Sequence, residues 1–350
     1  MSRTLKESLL NLGTGMLSTI GLPRLLQSCL YRKQLAILMY HAVIRDPLEV
    51  ADWCFLDEQS FGRQIEYVKR HFRVIPLSDA ASLLNSDSLD GPTLVITFDD
   101  GYQNNYEVAF PILAHYECPA TIFLTTSYVD SDQIPAFCRL NLALSLTTKR
   151  SLLWDGASYD LLSAEQKERA SIALRQSLKT HHPYTIDGLV ADICRSLEVD
   201  PDRRFDAASP YHILRTDSIQ RLVKSGLVNF GGHTHNHTIL SRLSDREKRE
   251  EISGSIQLVQ SLTGQACDSF AYPNGLRDDY DRSTMDILQS VGVSTAVSTI
   301  SGPNTVDTPR MELRRYGIGP DVNFARFTST VHHVTHRMRQ LGSPAKYGSA

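Results

Sequence analysis

Leu94-Val95-Ile96-Thr97-Phe98-Asp99-Asp100-Gly101 decides how this 350-residue chain is read, because an apolar run breaks off there at two adjacent carboxylates and a glycine. Such a run reads as a short buried strand, and groups that follow it sit at the carboxyl end, where open and barrel α/β folds carry their chemistry. Neighbouring strand residues point to opposite faces and two ionised acids repel, so Asp99 and Asp100 are expected to do different jobs, one holding a cation and the other moving a proton. Asp-Asp-Gly is also what would merely close a strand, since aspartate bonds its own backbone and glycine takes positive φ at little cost. The downstream run His233-Thr234-His235-Asn236-His237 favours chemistry, because packing does not readily explain three histidines at alternate positions. On a helix His233 and His237 share one face at the i, i+4 spacing of zinc sites. On an extended strand all three share a face, which leaves the part played by His235 open.

Away from these motifs, strand and helix signals alternate as parallel βα units require. Strands are expected at 35–43, 73–76, 93–98, 120–125, 227–230, 269–272, 293–297 and 311–318. Helices are expected at 61–71, opened by Ser60; at 106–116 despite Pro111; after an Asp217/Gln220 capping box, ending at Gly226; from Ser244 with Glu247 to Thr263; and at 283–291. Between about 130 and 214 the pattern turns helical, notably at 164–178 and 186–197, and reads as an insertion in the barrel. It is either a lid over the catalytic end or a peripheral elaboration.

Composition fits one enzyme domain with embellishments. The 350 residues are 41% hydrophobic, and an α/β barrel fills about 250 residues. A net charge of -3, a pI near 6.5 and the lack of a basic run argue against nucleic acid as a partner. The alternating charges of 245–251 read as a solvated helix face. Six cysteines are widely spaced with no Cys-x-x-Cys, as free thiols in a reducing compartment would be. Residues 1–34 are expected to form an amphipathic lead-in rather than a secretory leader, since the apolar stretch is broken by Asn11, Gly13, Gly15, Gly21, Pro23, Arg24 and Gln27 and shows no clean cleavage site. It is expected either to pack on the barrel or to lie on anionic lipid through Arg3, Lys6, Arg24, Arg32 and Lys33. Hence the expected location is the cytoplasm, or the inner face of the membrane as a peripheral protein. The catalytic domain is expected over 35–335, followed by a polar tail at 336–350, with His332 and His333 solvated.

The motifs together resemble the NodB-homology polysaccharide deacetylases, metal-dependent enzymes that remove acetyl groups from N-acetylated sugars. The first motif of that family matches Thr97-Phe98-Asp99-Asp100-Gly101, which implies that Asp99 is the catalytic base and Asp100 a metal ligand. Its His-Ser/Thr-x-x-His motif matches His233 to His237, which makes His233 and His237 ligands and leaves His235 outside the metal's shell. The third motif survives in part as Ala271-Tyr272-Pro273-Asn274-Gly275. Ala271 stands where the family has an arginine that orients the base, and Asn274 stands where a tyrosine backbone amide holds the oxyanion. By the same resemblance Tyr272 and Pro273 are expected to touch substrate. The apolar strand from Leu35 to Tyr40 leads into His41 as in a large bacterial branch of the family, so the resemblance runs in order from about Leu35 to Ile318. The late Leu-His motif is not recognisable. Arg314 and Arg315 lie in its place and are candidates to orient Asp99, and His41 is a candidate to protonate the leaving amine.

The resemblance implies a distorted (β/α) barrel of the NodB-homology type with a helical insertion. One carboxylate and two neutral imidazoles leave coordination sites open, so the donor set is that of a catalytic divalent ion, best suited to Zn²⁺, with Co²⁺, Ni²⁺ or Mn²⁺ entering by availability. The expected partner is an N-acetylated sugar, glycan or lipid-linked glycan in envelope or exopolysaccharide biosynthesis. Two alternatives are hydrolysis of another non-peptide carbon-nitrogen bond and a non-catalytic carbohydrate-binding role.

Overall fold

The two longest apolar runs become the central strands of a computed structural model that describes residues 34–85, 89–202 and 209–336. Leu35–Tyr40 and Thr93–Phe98 are buried at every position, as a parallel sheet covered on both faces demands. They pair in parallel from Leu35 opposite Thr93 to Tyr40 opposite Phe98. The full order across the sheet is Thr295–Val297, Ser269–Ala271, Val228–Gly232, Ala120–Leu124, Thr93–Phe98, Leu35–Tyr40 and Tyr316–Gly317, with Arg73–Val74 beside the start of Thr93–Phe98. Every pairing in this sheet is parallel. The sheet curls strongly without closing its ladder, and a single parallel bridge from Val297 to Leu313 spans the gap. The expected distorted barrel is therefore observed.

Alternate strand residues sort into two cores, as the two-residue period requires. Leu35, Ile37, Val95, Phe123, Ala271 and Leu313 pack together inside the curl. Ala36, Leu38, Leu94 and Ile96 pack outward against helix residues such as Ile65, Leu222 and Ile256. Both faces being occupied, the only place left for polar chemistry is the rim.

Several local expectations are corrected. The helix expected to open at Ser60 spans Glu58–His71, because the Asp57 side chain accepts from the Ser60 amide and caps it. The helix Thr216–Lys224 has no capping box; the Asp130 carboxylate, from the start of the insertion, accepts from the Thr216 amide at 2.9 Å. Ser244 and Glu247 do form their box. The segment expected as one helix at 106–116 opens with a π-turn, Asn105–Ala109, and continues as Phe110–His115 with Pro111 in its first turn, where a missing N–H costs little. The 35–43 strand divides at His41, after which Ala42–Ile44 leaves to pair with Phe55–Asp57. Lys248 and Glu251 are buried, so 245–251 is not a wholly solvated face. His332 and His333 are buried too, with Tyr67 and Tyr316 hydroxyls at 2.8 and 3.0 Å from their rings.

The insertion contains helices Ala136–Leu146, Ala164–Leu178 and Ile186–Ser196 and an unforeseen hairpin, Ser151–Trp154 with Ala157–Asp160. Leu140, Leu144, Leu174, Val190 and Ile193 give it a small core of its own. It returns against the turn after the paired aspartates, where the Gln103 amide donates to the His212 carbonyl at 2.7 Å and the Leu214 amide to the Gly101 carbonyl at 2.8 Å. The lead-in expected at 1–34, save Gln34, and nearly all of the tail lie outside the described residues. No helix among the described residues is long and apolar enough to cross a membrane.

Candidate active site

Strand ends supply the site. Asp99 follows Phe98, its amide donating to the Tyr40 carbonyl at 2.9 Å, so its side chain keeps the inward direction of Val95 and Thr97. Asp100 then takes φ 70° and Gly101 φ 76°, and this pair of left-handed residues swings the second carboxylate up to the rim. Gly101 is required twice over, since a Cβ there would also stand 2.4 Å from Leu124 Cδ2.

Asp99 and Asp100 divide as their geometry suggests. Arg315, fully buried, grips Asp99 through Nη1 to Oδ1 at 2.6 Å and Nη2 to Oδ2 at 2.7 Å, and donates to Thr97 Oγ1 at 3.1 Å. Burial alone would push the Asp99 carboxyl up, but the Arg315 charge, assisted by His233, holds it down at about 2. The arginine absent at Ala271 is thus replaced from the other side of the barrel. Ala271 packs in the apolar interior, and of the two late arginines Arg315 makes the contact while the Arg314 backbone is held by Asn304. Burial, offset in part by neighbouring histidines, raises the Asp100 carboxyl above its ordinary range.

The histidines sit on neither a helix nor a strand. Val228–Gly232 delivers His233, and a loop follows in which Thr234 (φ 61°) and His237 (φ 56°) are left-handed, folding His237 back beside His233 with ring centroids 4.9 Å apart. Glu251, from helix Asp245–Thr263, pins that loop by accepting from the His235 and Asn236 amides at 3.0 and 2.9 Å and from the Asn236 side chain at 2.7 Å. His235 turns away, its Nδ1 3.0 Å from Thr126 Oγ1.

Asp100, His233 and His237 offer ligand atoms all within 4.8 Å of one another, the one such group among the described residues. His233 Nδ1 lies 2.7 Å from the Ala271 carbonyl, which can only accept, so Nδ1 carries the proton and Nε2 presents a lone pair. That lone pair faces Asp100 Oδ1 at 3.5 Å, and His237 Nε2 lies 3.3 Å from the same oxygen. Burial drives both imidazoles down to about 4, with Lys179 and His41 adding to the effect at His237, so both are neutral at physiological pH. Electron-pair donors converging on one point are what a divalent cation reconciles, and the donor set fits one.

These groups line a cleft of about 130 Å³ together with His41, Trp53, Lys179 and Asn274. His41 packs edge-to-face on the half-exposed Trp53 with centroids 4.7 Å apart. Asn274 is left-handed (φ 60°), and its N–H has no protein acceptor among the described residues. Tyr272 and Pro273, expected to touch substrate, do not line the cleft. Tyr272 is fully buried, stacks on Tyr280 at 3.9 Å and donates to the Met311 carbonyl at 2.8 Å, and Pro273 is buried away from the cleft. Sequence reasoning missed Glu251, Trp53 and Lys179, none of which lies in a motif; only Glu251 had any signal, as the last acid of a charged run.

Known proteins share this fold. A curated relative, the poly-β-1,6-N-acetyl-D-glucosamine N-deacetylase of Staphylococcus epidermidis, is 27% identical over 227 residues, 56% of this chain and 72% of that protein. The Streptococcus pyogenes deacetylase PplD, solved with acetate, superposes with a TM-score of 0.58 at 18% identity, covering 85% of this chain and 98% of that one. IcaB from Ammonifex degensii gives 0.55 at 18% identity, covering 86% and 97%. The family described as polysaccharide deacetylase matches residues 86–296, more than half the sequence, and spans both the aspartate pair and the histidine loop. The chain belongs to the polysaccharide deacetylase family and is an enzyme with a metal-binding Asp-His-His centre.

Proposed function

We propose that the protein hydrolyses the N-acetyl group of a sugar, as a glycan or lipid-linked glycan, in envelope or exopolysaccharide biosynthesis. The observation that carries this reading is an ionised, arginine-clamped Asp99 beside a three-donor metal centre in one cleft. Asp100, His233 and His237 would hold the ion, and we favour zinc, with cobalt, nickel or manganese as substitutes. When bound, a divalent ion supplies Lewis acidity toward the acetyl carbonyl and toward water. Asp99 takes the proton from the attacking water, its orientation fixed by Arg315. The Asn274 N–H donates to the developing oxyanion, and His41, which lines the same cleft, gives a proton to the leaving amine.

The shape of the cleft supports a sugar over a small amide. Two neighbouring clefts of about 220 Å³ each adjoin it, sharing Pro135, Phe137 and His237 with one and Asp52, Trp53, Arg175 and Lys179 with the other. A groove with an aromatic side chain exposed at its mouth suits a pyranose ring. We place the reaction in a reducing compartment, at the cytoplasm or the inner membrane face, on the cysteine spacing. The test is a mass-spectrometric screen of acetylated sugars and lipid-linked glycans with metal-loaded protein. Loss of an acetyl mass from a glycan is expected; turnover confined to small cyclic or linear amides would overturn the sugar reading.

A further inference from the structure

We infer that the helical insertion is a working part of the active site, with Lys179 as a positioning residue that fixes the Asn274 loop against the reacting carbonyl. This rests on the deacetylase reading above. Lys179 closes helix Ala164–Leu178, and its ammonium donates to Asn274 Oδ1. The Asn274 side-chain nitrogen in turn donates to Asp279 Oδ2 at 2.5 Å, an oxygen that also accepts from the Leu276 amide at 2.8 Å. Thr299 holds the same turn from below, its hydroxyl donating to the Asn274 carbonyl at 2.7 Å and its amide to the Gly275 carbonyl at 2.9 Å. Every polar group of Asn274 is thus engaged by protein except the backbone N–H, the one that the cleft leaves for a ligand.

The approach of Lys179 is itself fixed. One turn earlier Arg175 pairs with buried Asp52, and one residue later the Thr180 carbonyl accepts from Arg242 Nη1 at 3.2 Å, beside the histidine loop. Lys179 is half-buried and in no ion pair with a carboxylate among the described residues, so its strong polar contact is the Asn274 oxygen. An oxyanion donor helps only when it is aimed before the reaction begins, and a left-handed asparagine held by its side chain is aimed where a free one would sample other wells. The lysine acts through Asn274.

The test uses full-length, metal-loaded protein with N-acetylglucosamine oligomers as probe. Lys179→Met should lower kcat by roughly 10- to 100-fold, leave KM and metal occupancy unchanged, and be largely rescued by Lys179→Arg. Asn274→Gly keeps the left-handed backbone but lacks the side chain, so it should lose as much, and the double variant no more. Amide hydrogen exchange over residues 272–279 reads the tether without turnover and should quicken about tenfold in Lys179→Met. Unchanged exchange, additive losses in the double variant, or an effect confined to KM would each overturn the positioning role. A wild-type protein that shows the exchange difference but releases no acetate would uphold the tether and overturn the activity.

Discussion

Asp99 and Asp100 are neighbours in sequence and opposites in electrostatics, because one meets a guanidinium inside the barrel and the other meets imidazoles at the rim. Replacing Asp99 with asparagine nearly keeps its shape and removes the proton acceptor, so turnover should fall by about 10²-fold or more while metal, measured by elemental analysis, stays bound. Near-normal turnover would mean another group is the base. Arg315 sets when that base works. With its carboxyl held at about 2, Asp99 is ionised throughout the usual assay range and contributes nothing to the acid limb of activity. Arg315→Met leaves burial unopposed, the carboxyl rises, and the acid limb of the pH-rate profile should move to higher pH. The same variant leaves a buried charge unpaired, at a cost of about 3–5 kcal/mol, so Arg315→Lys, which keeps a charge without the fork, serves as the companion. An unshifted profile in both would show that the clamp is structural. The paired aspartates and the two clustered histidines were legible in sequence because each pair sits in a short motif at a strand end. The choice between Arg314 and Arg315 was not, since it depends on which one faces the interior across from Thr97.

At the scale of elements, the histidine loop shows what spacing alone leaves open. Helix and strand geometries gave different answers for His235, and the loop follows neither: two left-handed residues bring His233 and His237 together and turn His235 toward Thr126. The device that stabilises this shape is the Glu251 carboxylate, which satisfies three loop donors from a helix 15 residues away. Charge alternation in sequence cannot distinguish a solvated acid from one that pins a loop, which is why Glu251 read as surface. Removing it takes away the one carboxylate that holds the His235 and Asn236 amides and so frees the loop, and Glu251→Ala should lower metal affinity by roughly 10- to 100-fold although Glu251 does not touch the metal. His235→Gln should keep its metal. Competitive chelation titrations of the two variants decide the matter, and equal losses would put His235 among the ligands. The capping of helix Thr216–Lys224 by Asp130 teaches the same lesson, because a cap drawn from 86 residues upstream leaves no local signal.

For the whole molecule, the alternation of strand and helix fixed the barrel, since continuous apolar runs such as Leu35–Tyr40 have nowhere to go but a sheet covered on both faces. Sequence left the insertion open between a lid over the catalytic end and a peripheral elaboration, because the contacts that decide it, Arg175 with Asp52 and His212 with Gln103, join segments far apart in sequence. The metal centre gathers residues from the aspartate strand and from the histidine loop well over a hundred positions later, so an ion held there should stabilise the fold as a whole. Saturation at a thousandfold excess over the dissociation constant contributes about 4 kcal/mol, which appears as a gap in unfolding midpoint between metal-loaded and chelator-stripped protein. Its pH dependence follows from the imidazoles. An ordinary histidine binds a proton near ~6.5, whereas burial holds His233 and His237 at about 4 in the folded chain. Between those values the unfolded state binds more protons, so the stability of the stripped protein falls as pH drops from about 6.5 toward 4. The loaded protein shares the same unfolded state and falls in parallel, and no proton competes for the neutral ligands in that window. The gap should therefore stay constant from about pH 7.5 to 5.5 and collapse at lower pH as Asp100, whose carboxyl burial raises, and the imidazoles take up protons, and His233→Ala should abolish it at every pH. A gap that narrows through 6.5 would show that the histidines titrate normally and are not the buried, neutral pair on which the metal centre depends.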